Sequence, residues 1–100
     1  MAKKQYYAII DTETTIADTV ADCAIIICDR NGIIYNQMAV IIKDEFENNE
    51  LFYDKNATGL WSLDYAKQKR ENYNKMLNAG TRTLASVNAI NNWIAKAIGK

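Results

Sequence analysis

The segment from Gln5 to Ile10, QYYAII, most constrains what this chain can fold into, because it offers almost no polar face to water. Side chains alternate faces along an extended backbone, so a run that is apolar at consecutive positions is expected of a strand covered on both sides. This segment is therefore expected at the centre of a sheet. It runs directly into Asp11-Thr12-Glu13-Thr14-Thr15. Residues i and i+2 of a strand point the same way, so the carboxylates of Asp11 and Glu13 can converge on one point. A hard divalent cation, Mg²⁺ or Mn²⁺, prefers such oxygen ligands. The same residue types also cap helices, form turns and make salt bridges.

The richness of 11–18 in Thr and Asp predicts a loop at the carboxyl end of strand one. Strand two is expected over Ala21–Asp29, around the β-branched run Ile25-Ile26-Ile27. Asp29-Arg30-Asn31-Gly32 supplies a turn with a strong hairpin signal, and strand three follows over Ile33–Ile42. These three form an antiparallel meander. The stretch Lys43–Thr58 reads as a partly packed loop anchored by Phe46, Leu51, Phe52 and Tyr53.

Two helices follow. The first is expected over Ser62–Asn78, capped by Ser62 or Thr58, with Leu63, Ala66, Tyr73, Met76 and Leu77 at helical spacing and Gly80 ending it. Its outer face carries Lys67, Lys69, Arg70, Glu71 and Lys75, which is either a solvated face or a contact for phosphates or a partner. The second is expected over Thr83–Ile98, capped by Thr83 or Ser86. Its stripe of Val87, Ile90, Ile94, Ala97 and Ile98, widened by Trp93, should pack on the sheet as core. The fold class is α+β, in α/β terms a three-stranded meander with two helices.

One hundred residues at 49% hydrophobic and 24% charged make one globular domain, 1–100, rather than a disordered chain. Formal net charge is zero, so no overall field draws the chain to nucleic acid and any such contact is local. Cys23 and Cys28 lie five apart in one strand and face opposite ways; they cannot bridge, and with no histidine in the chain they make no zinc site. Both read as small core residues. The opening MAKKQYYAIID has too short an apolar part for a signal peptide or a spanning helix, so a cytoplasmic location without membrane contact is expected.

An apolar strand, DTETT, a hairpin of two further strands and a later Ile-striped helix together resemble the N-terminal half of DEDD (DnaQ-like) 3′-to-5′ exonucleases of the RNase H-like fold. Phage-encoded members look most similar. That family's first motif is Asp-x-Glu-[Thr/Ser], matched by Asp11, Thr12, Glu13 and Thr14. The resemblance implies a partial RNase H-like fold. It also implies catalytic Asp11 and Glu13 holding Mg²⁺ or Mn²⁺, with Thr12, Thr14 and Thr15 near the terminal nucleotide. The family's later motifs add two aspartates and a His or Tyr beyond the point where this sequence ends, which leaves two of four expected carboxylates missing.

The expected function is accordingly that of a truncated, catalytically incomplete exonuclease-like protein in a bacterial host cell that acts by binding a protein or nucleic-acid partner. A phage inhibitor of host defence, of the anti-CRISPR type, is one version. The alternative is a metal-dependent exonuclease, or a fragment of one. In the RNase H-like order the later strands flank strand one, so without them strand one becomes an open edge. Such an edge pairs with a second copy, as a dimer or larger homo-oligomer, or with another protein's strand. Two copies sharing a site would bring four carboxylates together. A third reading is an unrelated small α+β domain in which DTETT is coincidental.

Overall fold

The computed structural model describes residues 5–99. The elements run β1 (Tyr6–Thr14), β2 (Val20–Asp29), β3 (Ile34–Ile42), α1 (Lys43–Asn48), a 3₁₀ turn (Gly59–Trp61), α2 (Leu63–Ala79), β4 (Thr83–Ala85) and α3 (Val87–Gly99). This is an α+β fold. Among the described residues the sheet has four strands in the order β1-β2-β3-β4, with β1, β2 and β3 antiparallel and β4 parallel to β3.

The meander follows from its two turns. Thr15 and Thr19 close the first, their hydroxyls 2.6 Å apart and the Thr15 N–H donating to the Thr19 carbonyl at 2.7 Å. Asp18 takes the left-handed conformation there (φ 69°), which a short polar side chain tolerates. In the second turn the Asp29 carboxylate accepts the N–H groups of Asn31 (2.8 Å) and Ile33 (3.1 Å) and the Tyr35 hydroxyl (3.0 Å). Gly32 supplies the positive φ of 83° that this turn requires. Cys23 and Cys28 are both buried free thiols, as the sequence implies.

The core gathers at one end of the sheet. Ala21, Ile41, Phe46, Leu51 and Ala66 are buried together, with Tyr53, Tyr73 and Leu77 packed against them. Two elements in this region depart from expectation. Lys43–Asn48, expected as loop, is a helical turn and a half: Phe46 anchors it in the core, Asp44 and Glu45 favour its positive N-terminal end, and the Arg70 guanidinium donates to the carbonyls of Phe46 and Asn49 at its C-terminal end. The second helix does not begin at Thr83. Gly80 ends α2 in a left-handed cap (φ 79°), Thr83–Ala85 then pairs beside Val40–Ile42 as β4, and α3 starts at Val87 with Ser86 accepting the Ala89 N–H at 3.1 Å. Ser62 caps α2 by accepting the Tyr65 N–H at 3.2 Å.

The largest departure concerns β1. Its apolar pattern alone places it at the centre of the sheet; it lies instead at an edge, the position expected from the exonuclease-like strand order without its later strands, and Tyr6 to Ile10 are exposed at every position, Ile9 by 56% and Ile10 by 60%. Neither helix covers this half of the strand. α2 sits over the end that carries Glu13 and Asp22. The C-terminal part of α3 stands across an open cleft of about 500 Å³ lined by Tyr6, Ala8, Ile27, Tyr35, Lys96 and Ile98. The α3 stripe is correspondingly only part core: Ile90 is buried, Trp93, Ile94 and Ala97 are half-buried, and Val87 and Ile98 are exposed.

The molecule is drawn out to 55 × 25 × 25 Å, with a radius of gyration of 15.9 Å. A compact chain of this length has about 13 Å, so much apolar surface stays at the boundary. No helix among the described residues is long and apolar enough to cross a membrane.

Candidate functional site

Asp11 and Glu13 lie on one face of β1, as their spacing requires. The β1–β2 register places Asp11 opposite Ala24 and Glu13 opposite Asp22, so a third carboxylate shares that face. Like charges directly opposite one another in a sheet are destabilising, and here two elements neutralise them. Lys69 of α2 donates its ammonium to Glu13 Oε1 at 2.7 Å. Asp22 accepts the Tyr73 hydroxyl at 2.7 Å on one oxygen and pairs with Arg82 through the other. Asp11 is exposed and has no such partner among the described residues.

The remaining expected residues divide. Thr12 pairs with Cys23 and so lies on the opposite face from Asp11 and Glu13. Thr14 offers its backbone carbonyl to the Phe52 N–H at 3.0 Å. Thr15 is fully buried, its hydroxyl accepting the N–H groups of Ala17 (3.2 Å) and Thr19 (3.3 Å). The basic cluster on α2 is not one surface: Arg70 is committed to α1 and Lys69 to Glu13, while Lys67 and Lys75 are exposed.

The structure sets further side chains beside two of the expected ones: Asn72, Tyr73, Met76 and Arg82 join Glu13 and Lys69 in lining an open cleft of about 220 Å³. Beside it, Phe52 and Trp61 meet edge to face at 5.9 Å between ring centroids. The Lys69 ammonium lies 5.8 Å from the Trp61 centroid and 5.2 Å from that of Tyr65, a cation–π arrangement that holds it near Glu13. Asp22 was in principle findable: a tight turn centred near Ala17 pairs residues whose numbers sum to about 35, which sets it against Glu13.

Among the described residues no three acidic, His or Cys side chains come together as a metal-holding group, and one of the two Glu13 carboxylate oxygens carries the Lys69 ammonium. The site is a neutralised carboxylate cluster with one free member, Asp11.

Tyr73 makes the electrostatics testable. Burial first, then its hydrogen bond to Asp22 and the charges of Asp22 and Glu13, push its phenol above the ordinary tyrosine range, against a smaller lowering by Arg82. The neutral phenol is thus favoured by folding. The stability this supplies is fully present below about pH 10, the unfolded value, and is lost as pH rises above it toward the folded value. Urea midpoints measured between about pH 8 and 11 should fall more steeply in the native chain than in Tyr73→Phe; parallel curves would remove Tyr73 from this role.

The chain matches no known protein family, no curated protein and no solved structure.

Proposed function

We propose that this chain is an exonuclease-like domain that works by holding another strand at β1 rather than by cleaving nucleic acid on its own. The observation that carries this reading is the position of β1. The strand bearing Asp11 and Glu13 is a sheet edge, and its apolar side chains from Tyr6 to Ile10 are exposed on both faces. An edge presents a row of unpaired N–H and C=O groups, and flanking apolar side chains add an area term to their pairing. Native proteins blunt such edges with charge, proline or a bulge. Tyr6 to Ile10 contain no charge and no proline, and the β1–β2 irregularity falls later, between Glu13 and Thr14.

The partner fitting this surface is an extended polypeptide segment whose side chains on both faces are apolar or aromatic. The reading of weak intrinsic catalysis draws on the same geometry. Lys69 neutralises one of the two motif carboxylates, and the carboxylate opposite it, Asp22, is engaged by Tyr73 and Arg82.

The second reading, a metal-dependent 3′-to-5′ exonuclease acting on DNA or RNA phosphodiesters, draws support from the shared face of Asp11 and Glu13 and from the free Asp11 carboxylate. The exposed Trp61 and Phe52 beside them suit the stacking of a terminal base. One assay separates the two: labelled single-stranded DNA with Mn²⁺, with the native chain and Asp11→Ala side by side. The binding reading expects intact DNA with both proteins at high concentration. Degradation by the native chain that the substitution abolishes would establish the enzyme instead.

A further inference from the structure

We propose that the open stretch of β1 pairs antiparallel with β1 of a second copy, in a register centred on Ala8. The inference rests on the open-edge reading above and names its occupant.

The edge is not open along its whole length. Leu51 bridges Thr15, the Phe52 N–H donates to the Thr14 carbonyl at 3.0 Å, and the Ile16 N–H donates to the Glu50 carbonyl at 2.8 Å. The chain's own 50–52 segment therefore occupies the edge from Thr14 to Ile16. What remains free runs from Tyr6 to Glu13, and its apolar part is centred on Ala8.

Charge order selects the direction. The free stretch is acidic only toward its end, at Asp11 and Glu13. A parallel copy in register sets the Asp11 and Glu13 carboxylates of one strand beside those of the other, which is unfavourable between neighbouring strands, whereas an antiparallel copy centred on Ala8 carries them to opposite ends. Centring on Ala8 makes the facing pairs Ala8 with Ala8, Tyr7 with Ile9 and Tyr6 with Ile10. Aromatic opposite β-branched is among the favourable cross-strand combinations, and Tyr6, Tyr7, Ile9 and Ile10 are each about half exposed in the single chain.

The competing register, centred on Thr12, would set Asp11 against Glu13 and bring four carboxylates together. It also runs the second strand over the edge already taken by Leu51 and Phe52. In the Ala8 register the two Asp11 residues are offset by six positions along the strands, about 20 Å. Each copy then keeps its own Asp11 and Glu13, and the two sheets join into one continuous sheet.

Light scattering from dilute to concentrated protein, combined with cysteine cross-linking, tests this directly. The expected mass rises toward twice the 11.3 kDa of one chain. Ile9→Lys, at an exposed position, should weaken the association by tenfold or more while leaving the melting temperature of dilute protein unchanged. Under mild oxidation Ala8→Cys should give a covalent dimer and Thr12→Cys should not; the buried Cys23 and Cys28 serve as the internal control.

Cross-linking by Thr12→Cys in place of Ala8→Cys overturns the register. A dimer indifferent to Ile9→Lys overturns the interface. A native chain that stays at 11.3 kDa at every concentration overturns the second copy, yet leaves the edge available to another polypeptide. A monomer whose β1 amides are protected from exchange overturns the open-edge reading as well.

Discussion

Phe46→Ala is expected to leave this chain largely unfolded near body temperature. Phe46 is 4% exposed and sits among Ala21, Ile41, Leu51 and Ala66, the cluster that joins the sheet to α1 and α2. Its ring meets Tyr73 edge to face at 5.8 Å, and the Arg70 guanidinium lies 4.2 Å from its centroid. Truncating a buried phenylalanine costs about 3–5 kcal/mol, against a total of about 5–15 kcal/mol for a domain of this length. The elongated shape and small core place this chain toward the lower part of that range. Circular dichroism should show the melting temperature falling by about 15 °C or more. Phe46→Leu, which keeps most of the volume, should lose far less. A drop of only a few degrees in Phe46→Ala would mean that the core lies elsewhere.

Asp22→Ala is expected to be the most damaging change among the polar residues. Asp22 takes the Tyr73 hydroxyl and the Arg82 guanidinium, both partly buried, and so ties α2 and the segment entering β4 to β2. Its removal strands a cation and a hydroxyl with reduced access to water. Hydrogen bonds to charged groups contribute about 1.5–3 kcal/mol each, and the two here share one residue. A loss of about 2–4 kcal/mol in urea unfolding follows. Asp22→Asn keeps an acceptor for Tyr73 but not the charge opposite Arg82, and should fall between the two. If Asp22→Ala proved neutral, the carboxylate would have no structural role, and its place opposite Glu13 would need a functional account.

The contrast between these sites and the β1 edge shows what a linear reading reaches. The meander, the Ser62 and Gly80 caps of α2 and the Asn31-Gly32 turn depend on contacts a few residues apart, and each was legible. The helix over Lys43–Asn48 was not. Six residues carry no helical period, and it is held by Phe46 in the core and by Arg70, 21 and 24 residues away.

β4 is three residues long, and its pairing with Val40–Ile42 lies outside any local window. The two-sided apolar character of Tyr6 to Ile10 pointed to burial that this chain does not provide, because α2 sits over the Glu13 and Asp22 end and the C-terminal part of α3 stands off from Tyr6 and Ala8 across an open cleft. At the site, strand alternation correctly put Asp11 and Glu13 on one face. The ion pair with Lys69 spans 56 residues, so periodicity on α2 alone could not separate Lys69 and Arg70 from the exposed Lys67 and Lys75.

Everything proposed for this chain depends on the strand that carries the two carboxylates being an edge open to pairing. Amide hydrogen exchange along Tyr6–Glu13, in protein dilute enough to be monomeric, tests it most directly. The open edge predicts that the outward amides of this stretch exchange at nearly unprotected rates while β2, paired on both sides from Asp22 to Cys28, stays protected. Protection of Tyr6–Glu13 to the level of Val20–Asp29 in that monomer would contradict it.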